Sequence, residues 1–182
     1  MNNIIIGLGF MSKVGKDEIA KYLVKRYNFK RIAFGDVLKQ DITKIKNITL
    51  EELEQNKENY RDLLISHGEN KRKEDPLYWV NQTIKSNNID FNNLKQNIVI
   101  SDVRRIDELK WLKQLNDKYK NVYIIEVIKQ KHWDTDIETI KSIVYGNYFN
   151  LIYGRLINIG TIKDLHDTVD NIITKIYLTK NN

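Results

Sequence analysis

The stretch that decides the fold is NNIIIGLGFMSKVGKDEIAKYLVKRY, residues Asn2 to Tyr27. Three isoleucines, Ile4 to Ile6, lead into Gly7 and Gly9, and a short run then ends in Gly15-Lys16. Ile19, Leu23 and Tyr27 follow at helical spacing. The pattern is a buried strand, a tight glycine exit and an amphipathic helix. Gly15 lets backbone approach a ligand with no Cβ in the way. Lys16 stands where a helix begins, and the N–H groups and dipole of a helix start favour an anion. The run departs from G-x-x-x-x-G-K-[ST] at both ends. Phe10 replaces the opening glycine, with Gly9 one residue earlier, and Asp17 replaces the hydroxyl residue. A Gly-Lys pair arises by chance about once in a chain of this size. Its surroundings must therefore decide between a phosphate cradle and a surface turn.

The 182 residues suit one domain with a real core, and 41% hydrophobic with 30% charged residues suits a soluble one. No apolar run is long enough to span a bilayer, so no membrane partner is expected. The N-terminus shows no leader pattern and the chain has no cysteine, which points to a reducing, cytoplasmic setting, that of the host cell if the source is viral. The net charge of +6 favours anionic ligands, but the basic residues are spread along the chain. That distribution argues for a solvated mixed surface and against nucleic acid as the partner. A homodimer is kept as an option.

Five apolar runs read as strands: Asn3–Gly9, Arg31–Phe34, Asn97–Ser101, Val122–Val127 and Arg155–Ile159. Several lack polar alternation, as expected of strands covered on both faces. Helical stripes lie between and after them, at Ile106, Leu109, Leu112 and Leu115 and at Leu165, Val169, Ile172, Ile173 and Ile176. Thr49 with Glu52 and Thr161 with Asp164 read as capping boxes. Asp75-Pro76 reads as a helix start. Alternating strands and helices predict an α/β fold with a five-stranded parallel sheet flanked by helices. Ligands bind such sheets beyond the carboxyl ends of the strands.

The residues at those ends carry the chemistry. Asp102 closes the third strand run and Arg104-Arg105 open the next helix. Beside a phosphate loop, the carboxylate suits hydrated Mg²⁺ and the arginines suit a transferring phosphoryl group. Taken alone, the same residues read equally well as a capping Asp with surface arginines. Phe34-Gly35 leads to Asp36 and Lys39, and further on come Arg61, Arg72 and Trp79. An arginine on a helix facing that sheet edge suits bidentate grip of a monophosphate. Trp79 suits base stacking, although an aromatic at helical spacing is more often core. His67, His132 and His166 share no metal-ligand spacing.

Four stretches taken in order, GKDEIAKYL, RDLLISHGENKRKEDPLYWV, IVISDVRRIDELKWLK and LINIGTIKDLHDTVDNII, resemble the deoxynucleoside monophosphate kinases of bacteriophages. These form a branch of the P-loop nucleoside monophosphate kinases, and Gly-Lys-Asp and Asp-Val-Arg are habits of that branch. The resemblance implies a three-layer P-loop NTPase fold over 1–182 as a single kinase domain, with an acceptor-binding insertion at about 36–90 and a lid at about 129–154. It implies transfer of the γ-phosphoryl group of ATP to a deoxynucleoside 5′-monophosphate. Lys13, Val14, Gly15, Lys16, Asp17 and Glu18 would hold ATP, and Asp17 and Asp102 would hold Mg²⁺. Arg61, Arg72, Arg104 and Asp102 would face the acceptor phosphate, with Phe34, Asp36, Lys39 and Trp79 near its nucleoside. Lys16, Arg104 and Arg155 would be the catalytic cations, with Lys129, Lys131 and His132 in the lid. Phe10 and Glu18 depart from the family pattern. The rival readings are a small-metabolite kinase of the dephospho-coenzyme A or phosphomevalonate type, a non-catalytic nucleotide-binding protein and a nucleic-acid 5′-kinase.

Overall fold

Strands and helices alternate along the chain in the computed structural model, which describes residues 3–129, 137–148 and 150–181. The order is β1 (Ile5–Phe10), α1 (Lys16–Tyr27), β2 (Lys30–Ile32), α2 (Phe34–Lys46), α3 (Leu50–Gln55), α4 (Arg61–Glu74), α5 (Tyr78–Ser86), β3 (Ile98–Val103), α6 (Ile106–Tyr119), β4 (Val122–Lys129), α7 (Ile137–Tyr148), β5 (Ile152–Asn158) and α8 (Ile162–Asn181). The strands form one five-stranded parallel sheet in the order β2-β3-β1-β4-β5, as expected. Contacts divide the chain into two compact units, residues 1–31 with 95–182, and residues 32–94.

In the first unit β1 is the middle strand, and all six of its residues are buried. On one face Ile6, Leu8, Val99, Ile125, Val127 and Leu156 pack with Ile19 and Leu23 of α1 and with Leu165, Val169, Ile173 and Ile176 of α8. The stripes expected on these two helices are therefore their core faces. On the other face α6 lies close against the sheet. A Cβ at Gly7 would stand 3.1 Å from Leu112 Cδ1 and 3.2 Å from Val103 Cγ2. Gly7 thus makes room for helix packing and has no part in the exit from the strand, which lies beyond Phe10.

Phe10 also finds its reason here. It ends β1 fully buried, and its ring packs beside α7, with Phe10 Cζ 3.5 Å from where a Cβ on Gly146 would stand. The position that is glycine in the usual loop is a core residue in this chain.

The second unit is a group of helices, α2 to α5, around Ile42, Leu53, Trp79 and Val80. Trp79 donates its indole N–H to the Gly68 carbonyl at 3.1 Å, and His67 Nε2 lies 2.7 Å from Asp41 Oδ2. Two local expectations are corrected in this unit. Phe34 does not end a strand: Ala33 is the extended N-cap and Phe34 opens α2. Asp75 ends α4 and starts no helix. Its carboxylate accepts from Leu77 N at 2.9 Å and Asn81 Nδ2 at 3.1 Å, tying the turn into α5.

Both capping boxes form. Thr49 Oγ1 accepts from Glu52 N at 3.1 Å while Thr49 N donates to Glu52 Oε2, and Thr161 with Asp164 repeats the arrangement at the start of α8. The N–H of each capping threonine, and then its hydroxyl, holds the Glu52 and Asp164 carboxyls below their ordinary range.

Polar contacts join α1 to α8. Tyr22 and Tyr27 of α1 both donate to Asp170 of α8, at 2.9 Å and 2.7 Å. Burial, and then the bond to Asp170, pushes the Tyr27 hydroxyl from about 10 up to about 12. A raised folded value means that the contribution of Tyr27 is complete below about pH 10 and is lost as pH rises through about 12. Tyr27→Phe should lower unfolding stability by about 1 kcal/mol at pH 8. In urea titrations the difference from wild type should shrink by pH 11. An equal difference at both pH values would show that the hydrogen bond is not its source.

Candidate active site

The loop between β1 and α1 is anchored by its own apolar side chains. Met11 and Val14 are buried in the core, while Lys13 turns through a left-handed conformation at φ 56°. Gly15 is left-handed as well, at φ 102°, and is the N-cap of α1. As a glycine it brings no side chain to cap the first turn, and its carbonyl accepts from Ile19 N at 3.1 Å. Lys16 is the first helical residue, and its ammonium donates across the loop to the Met11 carbonyl. Asn158, at the end of β5, donates from Nδ2 to the Val14 carbonyl at 2.9 Å.

The end of β3 lies next to the end of β1. Gly7 pairs with Ile100 but Gly9 pairs with Val103, so β3 carries one extra residue over this interval. Such a bulge bends the strand and re-aims its side chains. It falls at Ser101-Asp102, next to the start of the loop. Asp102 is half-buried. The two arginines that follow are held by α6 and α7. Glu108 Oε2 accepts from the backbone N–H of Arg104 at 2.7 Å and of Arg105 at 2.9 Å. Arg104 Nε donates to Thr139 Oγ1 at 2.8 Å, and its carbonyl accepts from Ser142 Oγ at 2.6 Å. Arg105 lies 3.8 Å from Glu138. Thr139 and Ser142 are buried polar residues on α7 whose task is to fix this corner.

The remaining candidates of the first unit have these placements. Asp17 is 78% exposed, with an oxygen 3.7 Å from Arg31. Glu18 Oε1 lies 3.1 Å from His166 Nε2, and the His166 ring stacks on Tyr22 at 3.8 Å. Arg155 Nε donates to Glu126 at 2.5 Å, and Glu126 is buried although it lies mid-strand in β4. Lys129 ends β4, while Lys131 and His132 lie outside the described residues.

In the second unit Lys39 lies 2.5 Å from Glu54, and this ammonium holds the Glu54 carboxyl below its ordinary value. Arg72 pairs with Glu69 at 3.1 Å, and Arg61 is largely exposed, 4.0 Å from Glu58. Asp36 lies in the first turn of α2, Phe34 is buried at its start, and Trp79 is a core residue.

Sequence reasoning missed Asn158, Glu108, Thr139, Ser142 and Glu126. Only Glu108 carried a usable signal, a glutamate in the first turn of a predicted helix.

The profile of the phosphomevalonate kinase family matches residues 11–121, from the first residue after β1 through the end of α6. The chain belongs to the phosphomevalonate kinase family. It is an ATP-dependent kinase of the P-loop type. Solved structures agree on the fold. The shikimate kinase of Aquifex aeolicus is 10% identical, with a TM-score of 0.51 over 98% of this chain and 99% of that chain. The shikimate kinase of Acinetobacter baumannii in complex with shikimate is 8% identical, with a TM-score of 0.50 over 99% and 96%. A Thermus thermophilus protein is 14% identical, with a TM-score of 0.52 over 96% and 98%. At these identities the likeness is one of fold alone. No curated protein matches the chain in sequence.

The Glu126–Arg155 pair gives this kinase a testable support between β4 and β5. Arg155→Met leaves a buried carboxylate without its cation and should destabilise by about 2 kcal/mol. Adding Glu126→Gln should recover at least half of that, because a neutral amide has less need of a cation. A double-mutant cycle by urea unfolding measures the coupling. Purely additive losses would mean that the pair holds nothing.

Proposed function

We propose that this kinase transfers the γ-phosphoryl group of ATP to the phosphate of a deoxynucleoside 5′-monophosphate, giving a deoxynucleoside diphosphate and ADP. The observation that carries the reading is the juxtaposition of two strand ends. Left-handed Gly15 opens α1 at Lys16, and the bulged end of β3 presents Asp102, Val103 and Arg104 next to that loop's start. The Gly-Lys-Asp and Asp-Val-Arg runs support the deoxynucleotide branch. The family match over 11–121 favours a second reading, in which the acceptor is phosphomevalonate. Both acceptors are phosphate monoesters, so the transfer chemistry is shared.

An oxygen of the acceptor phosphate attacks the γ-phosphorus, and the bond from that phosphorus to the β,γ-bridging oxygen breaks. The electron pair leaves with ADP. The attacking oxygen is already anionic, so no general base is needed, and rate comes from positioning and charge stabilisation. Backbone N–H groups of 13–18 cradle the ATP phosphates. Lys16 exchanges the Met11 carbonyl for a γ-phosphoryl oxygen. Arg104, its guanidinium oriented by Thr139, meets the acceptor phosphate. Arg155 is assigned to holding β4 and β5 through Glu126. Arg61, Arg72, Asp36, Lys39, Phe34 and Trp79 are the acceptor-recognition candidates of the second unit. One kinase domain over 1–182, with an insertion at 36–90 and a lid at 129–154, belongs to the same proposal.

Asp17 and Asp102 fit a hard cation. Both bring hard carboxylate oxygens, and Mg²⁺ is commonly held by one or two carboxylates together with waters and phosphate oxygens. Bound there, the ion would neutralise charge on the β- and γ-phosphate oxygens.

An ADP-release assay over the four deoxynucleoside monophosphates, the ribonucleotides, phosphomevalonate, dephospho-coenzyme A and shikimate should give the highest kcat/KM with a deoxynucleotide. A clear preference for phosphomevalonate would replace the first reading by the second. Lys16→Ala should keep the fold and lose at least about tenfold in turnover, about 1.4 kcal/mol of barrier. A folded variant above that level would remove Lys16 from its role. Asp17→Asn should shift the rate to higher Mg²⁺, and superimposable Mg²⁺ curves would exclude Asp17 as a ligand.

A further inference from the structure

The loop that begins α1 is held by a side chain from the edge strand β5. Asn158 is the last residue of β5, paired in register with Lys129 of β4. Its Nδ2 donates to the Val14 carbonyl at 2.9 Å. The same nitrogen lies 2.6 Å from where a Cβ on residue 15 would stand, so the amide lies directly over the Val14–Gly15 peptide. Val14 is itself locked, its side chain buried with Leu156 and Leu165.

The consequence follows from peptide geometry. In a trans peptide the C=O of one residue and the N–H of the next lie in one plane and point in opposite directions. Fixing the Val14 carbonyl therefore fixes the Gly15 N–H, aimed away from Asn158. A glycine tolerates either orientation of the peptide that precedes it, because positive and negative φ are nearly equal for it. Residue 15 has to be glycine, so nothing intrinsic to it keeps this peptide from flipping.

We infer that Asn158 is a positioning residue for nucleotide binding: by holding the Val14 carbonyl it aims the Gly15 N–H at the donor phosphates and prevents the peptide flip. The inference rests on the reading of residues 13–18 as the ATP phosphate cradle. It assigns to the end of β5 a part in donor affinity and none in acceptor recognition.

Two variants test it. Asn158→Asp keeps the size of the side chain but presents an acceptor to the Val14 carbonyl. Asn158→Ser is too short to reach and adds no charge. Calorimetry with a non-hydrolysable ATP analogue should show a loss of about tenfold in affinity for both. The KM for ATP should rise about as much, with the acceptor KM within about twofold of wild type. In ¹H–¹⁵N spectra the Gly15 amide of the wild type should shift downfield on adding the analogue, and both variants should lose most of that shift. Analogue affinity within about twofold of wild type in a folded variant would overturn the inference. So would equal rises in both KM values accompanied by a lower melting temperature, which mark a merely structural residue. A wild type that fails to bind the analogue would remove the phosphate cradle itself.

Discussion

The site depends on residue 15 having no side chain, for two independent reasons. At φ 102° an L side chain would be strained, and a Cβ would meet the Asn158 amide at 2.6 Å. The first constraint turns the chain from a buried strand into a helix within a few residues. The second lets an edge strand reach over and hold the turn. Neither would matter if β1 were free to shift. It is the middle strand, paired in parallel with β3 and β4 and buried along its whole length. Met11 and Val14 extend that burial into the loop. The helix start at Lys16 is thus placed by the core of the sheet, and an anion bound there meets donors that need little reorganisation.

What was legible in the chain was whatever repeats locally. The five strands, the stripes of α1, α6 and α8 and the two Thr-led capping boxes all carry periodic or short-range signals, and all are present, with strand ends displaced by up to three residues from the apolar runs. The glycine loop was legible because its spacing is local too. Two of the misreadings, at Gly7 and Phe10, come from partners far along the chain, and that at Asp75 from a local turn. Gly7 reads as a turn residue, yet it answers to Leu112 of α6. Phe10 reads as a defect in the loop because the helix it packs beside, α7, lies far along the chain. Asp75 was read forward into a helix, whereas its carboxylate serves the turn between two helices. The bulge at Ser101-Asp102 leaves no mark on composition, because it is a matter of register with β1. Asn158, Thr139 and Ser142 are polar residues in otherwise ordinary runs. Their roles exist only once β5 and α7 are folded against the loop and the β3 end.

The candidate cations Lys16, Lys39, Arg61, Arg72, Arg104 and Arg155 have partners, and the partners differ in how readily they can be exchanged for a phosphate. Arg72 with Glu69 and Arg31 with Asp17 are pairs near water, of a kind worth about 0–1 kcal/mol. A doubly charged phosphate outcompetes such a carboxylate without difficulty. Arg155 is different because Glu126 is buried. Moving the guanidinium onto a substrate would leave a carboxylate unpaired in a dry site, which costs several kcal/mol. Its charge is also offset at 2.5 Å, so at a reacting phosphorus it acts as one end of a dipole. The same bond that makes Arg155 a poor mobile cation makes it a good strut, since Glu126 lies beside Gly9 in the sheet register and Arg155 beside Glu126.

On the proposed reading, this division separates the groups that hold the donor loop from those that would recognise the acceptor. In the first unit, the groups around the loop and the β3 end are held by backbone, by neutral polar side chains or by a buried ion pair: Gly15 by its conformation, Val14 by Asn158, Arg104 by Thr139 and Ser142, and the β4–β5 seam by Glu126 and Arg155. Little of that responds to ionic strength or to a change in the acceptor. In the second unit, the candidate recognition cations Lys39, Arg61 and Arg72 stand against carboxylates near solvent. Those contacts re-pair at small energetic cost. On the proposed reading, in which residues 32–94 recognise the acceptor, acceptor choice can drift by substitution there with little strain on the groups that hold the loop.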